Sequence, residues 1–346
     1  MGALSDRYGR RPLLLLGMAG LGLDFALMPF APSLGWLLLL RVLGGLAASG
    51  GAVAAAYVAD VTATAQRTRA MGALAAMFGL GLVFGPLLGG LLGLWHRQLP
   101  FLTAAALCLI NLCYGWRALP ESLPQRRQEP LELARLLPWQ PLRRLWRQQL
   151  LRRPLAVFAL AQLAQMLVQA SWVISTGRRF GWGPAMTGVS LCFAGLLAGV
   201  MQGALLSRAT ARWGETGLLR LALVLAVLSQ CLYAWAPQGW MMFAVMLLAL
   251  PCAAGVPLLQ SGLSRQVDAA AQGELMGALA ALRSAAGVLA PLPAGALLAL
   301  AEQSGRPWTH AFGLPFVAAG AALAVAWWLG WSYRPERAAG WAAGVA

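Results

Sequence analysis

Asp24 is the residue from which a function can be argued. It is the only acid deep inside an apolar run (13–30), and Arg41 lies just inside the next run (36–58). A charge at the centre of a bilayer costs roughly 2.5–3.5 kcal/mol on insertion scales, so a carboxylate there calls for a partner. If the first run crosses outward and the second returns, both residues sit roughly 8–9 Å below the outer edge at ~1.5 Å of rise per residue. Their side chains can meet across the hairpin. Such a pair can serve as a proton-coupling switch that opens when Asp24 takes a proton. It can also be a static tie that fixes the hairpin.

Three other residue sets have chemistry in their spacing. The loop Gly2, Asp6, Arg7, Gly9, Arg10 and Arg11 combines glycines that tolerate positive φ with an acid that can accept from arginine or sit at a helix N-terminus. That pattern suits a gate. The plainer alternative is that the three arginines only set topology. Gly81, Gly85, Pro86, Gly89 and Gly90 lie within run 72–94. There the proline removes a backbone donor and the glycines thin one face, which predicts a kink and close helix packing. Gln162, Gln165, Gln169 and Trp172 recur at helical spacing, with Asn111, Gln202, Gln230 and Gln260 as further amides in apolar runs. Amides avoid lipid, so these line either a wet substrate cavity or contacts between helices. A cavity of amides and aromatic rings suits an amphipathic, aromatic small molecule.

Enzyme chemistry is not foreseen. No G-x-S-x-G, H-E-x-x-H or P-loop is present, and the two histidines, His96 and His310, fall near one surface. The five cysteines form no C-x-x-C pair. The sequence therefore predicts no catalytic residue, no metal site and no cofactor.

The positioning elements follow from composition. Of 346 residues, 60% are hydrophobic and 11% charged, too few polar groups to coat a soluble globule of this size. Ten apolar runs are evident: 13–30, 36–58, 72–94, 100–118, 155–176, 184–206, 217–236, 239–262, 276–300 and 311–333. Each has about the 17–25 residues a membrane helix needs. They are apolar all round rather than alternating, which argues against a barrel. The expected fold class is an all-α polytopic membrane protein.

All 26 basic residues are arginine, and the formal net charge is +15. With the N-terminus inside, the inner loops hold eighteen arginines and the outer loops hold four, Arg97, Arg178, Arg179 and Arg306. The positive-inside rule then predicts both termini in the cytoplasm. Charge spread over separate loops argues against nucleic acid as a partner; the expected partners are the bilayer, protons and a small molecule. The division predicted is an N-terminal bundle over 1–118, a basic linker over 119–154, a C-terminal bundle over 155–333 and a tail over 334–346.

The chain repeats itself at an offset of 205. Met71-Gly-Ala-Leu-Ala-Ala76 recurs as Met276-Gly-Ala-Leu-Ala-Ala281, Asp6-Arg-Tyr-Gly9 falls on Ala211-Arg-Trp-Gly214, and Gly85-Pro86 on Ala290-Pro291. Parallel halves of this kind are the plan of transporters with an axis along the membrane normal. The same shift places two helices before Met1, which predicts an N-terminal truncation or a start assigned too far downstream.

These motifs carry a resemblance. Gly2-Ala-Leu-Ser-Asp-Arg-Tyr-Gly-Arg-Arg11 resembles the G-x-L-[AS]-D-R-x-G-R-[RK] loop of the major facilitator superfamily. Gly85-Pro86-x-x-Gly89-Gly90 is similar to the antiporter motif of its drug/proton branch, and Arg41-Val-Leu-Gly-Gly45 to that branch's fourth-helix arginine motif. Pro120-Glu-Ser122 ends the sixth helix as in that family. Leu23-Asp-Phe-Ala-Leu-Met-Pro-Phe-Ala-Pro32, Ala56-Tyr-Val-Ala-Asp60 and Leu263-Ser-Arg-Gln-Val-Asp268 resemble the tetracycline/proton antiporters. The resemblance implies two pseudo-symmetric bundles with ten of twelve helices present, in a bacterial inner membrane. It implies drug export in exchange for protons, with the gating loop docked on the helix starting near Gly273–Met276. The chain departs from the family where the first-helix acid is absent and where Leu221 to Trp235 contains no acid. A transport-inactive remnant or a non-transporting membrane partner is the alternative.

Overall fold

The computed structural model describes residues 5, 8–47, 50–63, 66–122, 139–268, 272–303 and 312–331. Among these the chain is helical and forms no strand, and each of the ten apolar runs is mainly helix in its described part. In chain order the helices are α1 (Arg10–Leu27), α2 (Leu34–Ala47), α3 (Gly50–Val61), α4 (Arg67–Trp95), α5 (Leu99–Ala118), α6 (Trp139–Arg147) and α7 (Gln149–Phe180). They continue as α8 (Pro184–Val200), α9 (Leu206–Trp235), α10 (Gly239–Leu248), α11 (Gly255–Ser264), α12 (Gln272–Leu289), α13 (Pro291–Gln303) and α14 (Leu314–Gly330).

Among the described residues six helical stretches are each long and apolar enough to cross a membrane; a seventh forms if α10 and the stretch Leu250–Ser264, bent by 52°, count as one. One of the six, Pro184–Trp235, has 52 residues, more than twice the ~20 that a crossing needs. It is continuous through a π turn at Met201–Leu205 and is divided at Gly214, whose φ of 68° and ψ of 163° are not helical. That division separates the runs 184–206 and 217–236. Elsewhere Ala290 interrupts the run 276–300, with Pro291 opening α13. By contrast α4 runs through Pro86 without a break.

The chain forms two compact units. One comprises Met1–Leu136 with Pro184–Cys192, the other Leu137–Gly183 with Phe193–Ala346. The sequence division differs from this in two places. The start of α8 groups with the first unit, and α6 with the beginning of α7 belongs to the second.

In the first unit α1 packs along α5 and against α2 and α3. Glycine makes the α1–α5 approach close: a Cβ on Gly22 would lie 3.3 Å from that of Cys108, and one on Gly115 would lie 3.3 Å from Leu15. Small residues let membrane helices approach until backbones nearly touch. The same device joins α4 to the start of α8. A Cβ on Gly90 would meet the Pro184 carbonyl oxygen at 2.5 Å, and one on Gly188 the Pro86 carbonyl oxygen at 2.5 Å. The close packing expected of the glycine motif is found at Gly90. Gly81, Gly85 and Gly89 have no atom within 4 Å of where a Cβ would stand, among the described residues.

The second unit is built on α7, which packs along α14, with α9 on α14 as well. Phe158, Leu155, Leu218, Leu259, Leu263 and Leu275 are fully buried in its core. Gly330 at the end of α14 lets Leu223 and Val157 close over the backbone.

Gly90→Ala is expected to lower stability by about 1–3 kcal/mol, the usual cost of overpacking, because backbone rather than a side chain stands in the way. Gly81→Ala, in open space, should leave it unchanged or raise it. Thermal melts of the two variants in detergent check the contrast.

Candidate functional site

Polar chemistry in the first unit gathers at the two ends of α1. Near its C-terminal end Asp24 is 4% exposed, and its Oδ2 accepts a hydrogen bond from Arg41 Nη2 at 2.6 Å. The structure thus brings together the two residues that helix rise placed at one depth. Arg41 Nη2 also lies 3.5 Å from Met28 Sδ, and its side chain is 54% exposed. Gly44, nearly one turn beyond Arg41, opens the slot: a Cβ there would stand 2.7 Å from Asp24 Oδ2. Asp24 Oδ1 is buried and has no hydrogen-bond partner among the described residues. One carboxylate oxygen is thus held by a half-exposed guanidinium and the other is bare.

At the other end Gly9 takes a φ of 103° before α1 begins, a conformation that side chains rarely adopt. Gly9, the N-cap of α1, has no side chain with which to cap it. Glu121 does so from the far end of α5: its Oε1 accepts from the backbone N–H of Arg10 at 3.0 Å and of Arg11 at 3.5 Å. A carboxylate suits the positive end of a helix dipole. Arg10 donates through Nε to Asp60 Oδ2 at 2.9 Å and through Nη1 to Ser5 Oγ at 2.7 Å. Ser122 Oγ reaches the same Asp60 oxygen at 3.3 Å. Arg11 Nη2 donates to the Trp116 carbonyl at 2.6 Å, and the Tyr57 hydroxyl to the Pro120 carbonyl at 3.0 Å. Of the gating residues named from sequence, Gly9, Arg10 and Arg11 meet here. Gly2, Asp6 and Arg7 lie outside the described residues.

The offset of 205 reappears in this geometry. Gly214 matches Gly9 in position and in positive φ, and each precedes a helical segment. Residue 215 matches Arg10, and residue 265 matches Asp60. There the pair is Glu215 with Arg265, joined by two hydrogen bonds, one of them at 2.9 Å. The contact is conserved between the repeats and its polarity is reversed.

The amides are dispersed. Gln162 is buried at 4%, while Gln165 and Gln169 on the same stripe are exposed. Trp172 is 4% exposed and meets Tyr233 and Phe316 edge-on, at 5.5 and 5.9 Å between ring centres. Asn111 and Gln202 are exposed, the latter in the π turn, and Gln260 is half-buried. Gln230 Oε1 is buried with no hydrogen-bond partner among the described residues.

Sequence reasoning missed the roles of Glu121 and Gly44. Glu121 falls in the stretch 119–154 read as a basic linker, although it stands inside Pro120-Glu-Ser122. Gly44 stands inside the arginine motif beginning at Arg41. In both cases the motif was visible and the distant partner was not.

A sequence profile described as Major Facilitator Superfamily matches residues 1–291. The chain belongs to the major facilitator superfamily. It is therefore a multi-pass membrane transporter and not an enzyme. The tetracycline resistance protein, class C, of Escherichia coli is 38% identical over 310 residues, covering 89% of this chain and 78% of that protein. The class B protein of Escherichia coli is 34% identical, covering 84% of this chain and 73% of its own length. Among solved structures, the human organic anion transporter MFSD10 (TETRAN) aligns with a TM-score of 0.65 and 26% identity, over 95% of this chain and 78% of that one. The nucleoside transporter NupG shares the fold at a TM-score of 0.73 and 12% identity, over 95% of this chain and 85% of its own.

Hydrogen bonding from Arg265, aided by its charge, holds the Glu215 carboxyl below its ordinary value of 4.5, against the opposing effect of partial burial. A lowered folded pKa stabilises the fold above the unfolded value, and this contribution is lost as pH falls through the folded value. Glu215→Gln should melt below the wild type at neutral pH, and the gap should close as pH falls below about 4.5. Paired melting curves between pH 7 and pH 3 check this.

Proposed function

We propose that this chain is a secondary active transporter that exports an amphipathic, aromatic small molecule, tetracycline or a similar drug, in exchange for protons by alternating access. The observation that carries the proposal is the Asp24–Arg41 pair: a carboxylate 4% exposed, bound through one oxygen and bare at the other. Ionisable groups inside membrane segments are costly and are used for proton relays. Protonation of Asp24 would release Arg41, and the α1–α2 hairpin would then have two arrangements of similar energy. The names of the tetracycline resistance relatives support the substrate class. The cluster of Gly9, Arg10, Asp60 and Glu121 is assigned to an inner gate, with both termini in the cytoplasm of an inner-membrane protein. The amides and Trp172 are assigned to substrate contact, and the glycine motif around Pro86 to a packing surface between moving helices.

A second reading, a membrane partner that does not transport, has one observation in its favour. In the helix Arg69–Trp95 none of the most apolar 18-residue stretch is buried.

Reconstituted vesicles separate the two. With an imposed pH gradient the chain should drive tetracycline uptake, and collapsing the gradient should abolish it. Asp24→Asn should reduce gradient-driven uptake to that of empty vesicles, while Asp24→Glu retains part of it. Unchanged proton-driven uptake in Asp24→Asn removes the relay. A folded wild-type chain that moves no drug under any gradient favours the second reading.

A further inference from the structure

The second unit has a basic, aromatic cavity that the transport reading does not use. It lies where α7 begins and α14 ends, has a volume of about 400 Å³ and is lined by Arg153, Trp327, Trp328, Leu329 and Trp331. Trp328 is 72% exposed and Trp331 54%. Trp327 packs edge-on against Trp331 with ring centres 5.3 Å apart. A second guanidinium completes the group: Arg220 lies 5.0 Å from the Trp331 ring centre and donates to the Trp331 carbonyl at 2.8 Å.

We propose that this cavity binds the phosphodiester headgroup of an anionic phospholipid from the cytoplasmic leaflet. The placement in that leaflet rests on the orientation read from the arginine distribution. Three features argue for the ligand. Among the described residues the lining holds two kinds of side chain that suit a headgroup, a guanidinium and indoles, and no acid. A guanidinium matches a phosphate in shape and charge, and indoles favour the headgroup region. Basic pockets between membrane helices on the cytoplasmic side suit anionic headgroups. The end of α14 carries a partial negative charge that on its own repels an anion; Arg220 on the Trp331 carbonyl offsets it.

The cavity also continues into hydrocarbon surface, which argues for a lipid over free phosphate. Val317, Ala321, Val325 and Trp328 are exposed at one-turn spacing along α14. They form a single apolar stripe leading away from Arg153 and Trp331, along which acyl chains can lie.

Native mass spectrometry of the full chain in detergent tests this, with phosphatidylglycerol, phosphatidylcholine and inorganic phosphate as probes. Phosphatidylglycerol should be retained in preference to phosphatidylcholine, and inorganic phosphate at equal concentration should not displace it. Arg153→Gln should weaken retention about tenfold, as expected for loss of a charged hydrogen bond, and Arg153→Lys should keep part of it. Trp328→Ala, an exposed position that tests the site without touching charge, should also weaken it. Arg178→Gln, on an arginine engaged with Glu302, should change nothing. Equal retention by Arg153→Gln and Arg178→Gln overturns the proposal, as does equal binding of the two lipids. Displacement by phosphate turns the site into one for the free ion and likewise overturns it. The readout needs no transport, so its failure is distinguishable from failure of the exchange mechanism.

Discussion

A carboxylate among hydrocarbon is tolerable only with a cation against it, and the first unit is arranged around that constraint. Asp24 and Arg41 stand on consecutive helices whose lengths bring them level. Gly44 removes the side chain that would block the contact. The turn between the helices, the depth of each residue and the glycine on α2 are three answers to one electrostatic problem.

At the opposite end of α1 the problem is different. A helix begins with unsatisfied N–H groups, and here the N-cap is Gly9, which has no side chain to offer. Glu121 supplies one from more than a hundred residues away, which fastens the end of α5 to the start of α1. Arg10 adds Asp60 at the end of α3. Three helix ends are thereby joined through hydrogen bonds that water can enter and exchange, unlike the glycine-packed contacts deeper in the bundle.

Much of this was legible in the residues. A bilayer demands long apolar helices, so 60% hydrophobic composition and ten runs gave the class. The rise of a helix is fixed, so Asp24 and Arg41 could be paired by arithmetic. The repeat pointed to Gly9 and Gly214 before any angle was known. What escaped was decided by contacts distant in sequence. Nothing local tells that Glu121 turns back to α1, or that Gly90 meets Gly188 rather than lying open like Gly81 and Gly85. Trp172 reads as one member of an amide stripe, yet it is held among Tyr233 and Phe316. The helix α4 continues through Pro86, whereas at its repeat mate the helix is interrupted at Ala290, beside Pro291.

The repeated bend has a consequence for how such halves can diverge. Gly9 and Gly214 both keep a positive φ, while the charges beside them exchange signs. Arg10→Glu, the exchange the repeat suggests, would seat a glutamate against Asp60. Two anions would then face each other where a salt link had been. The bend is shared between the repeats and the charges beside it are not.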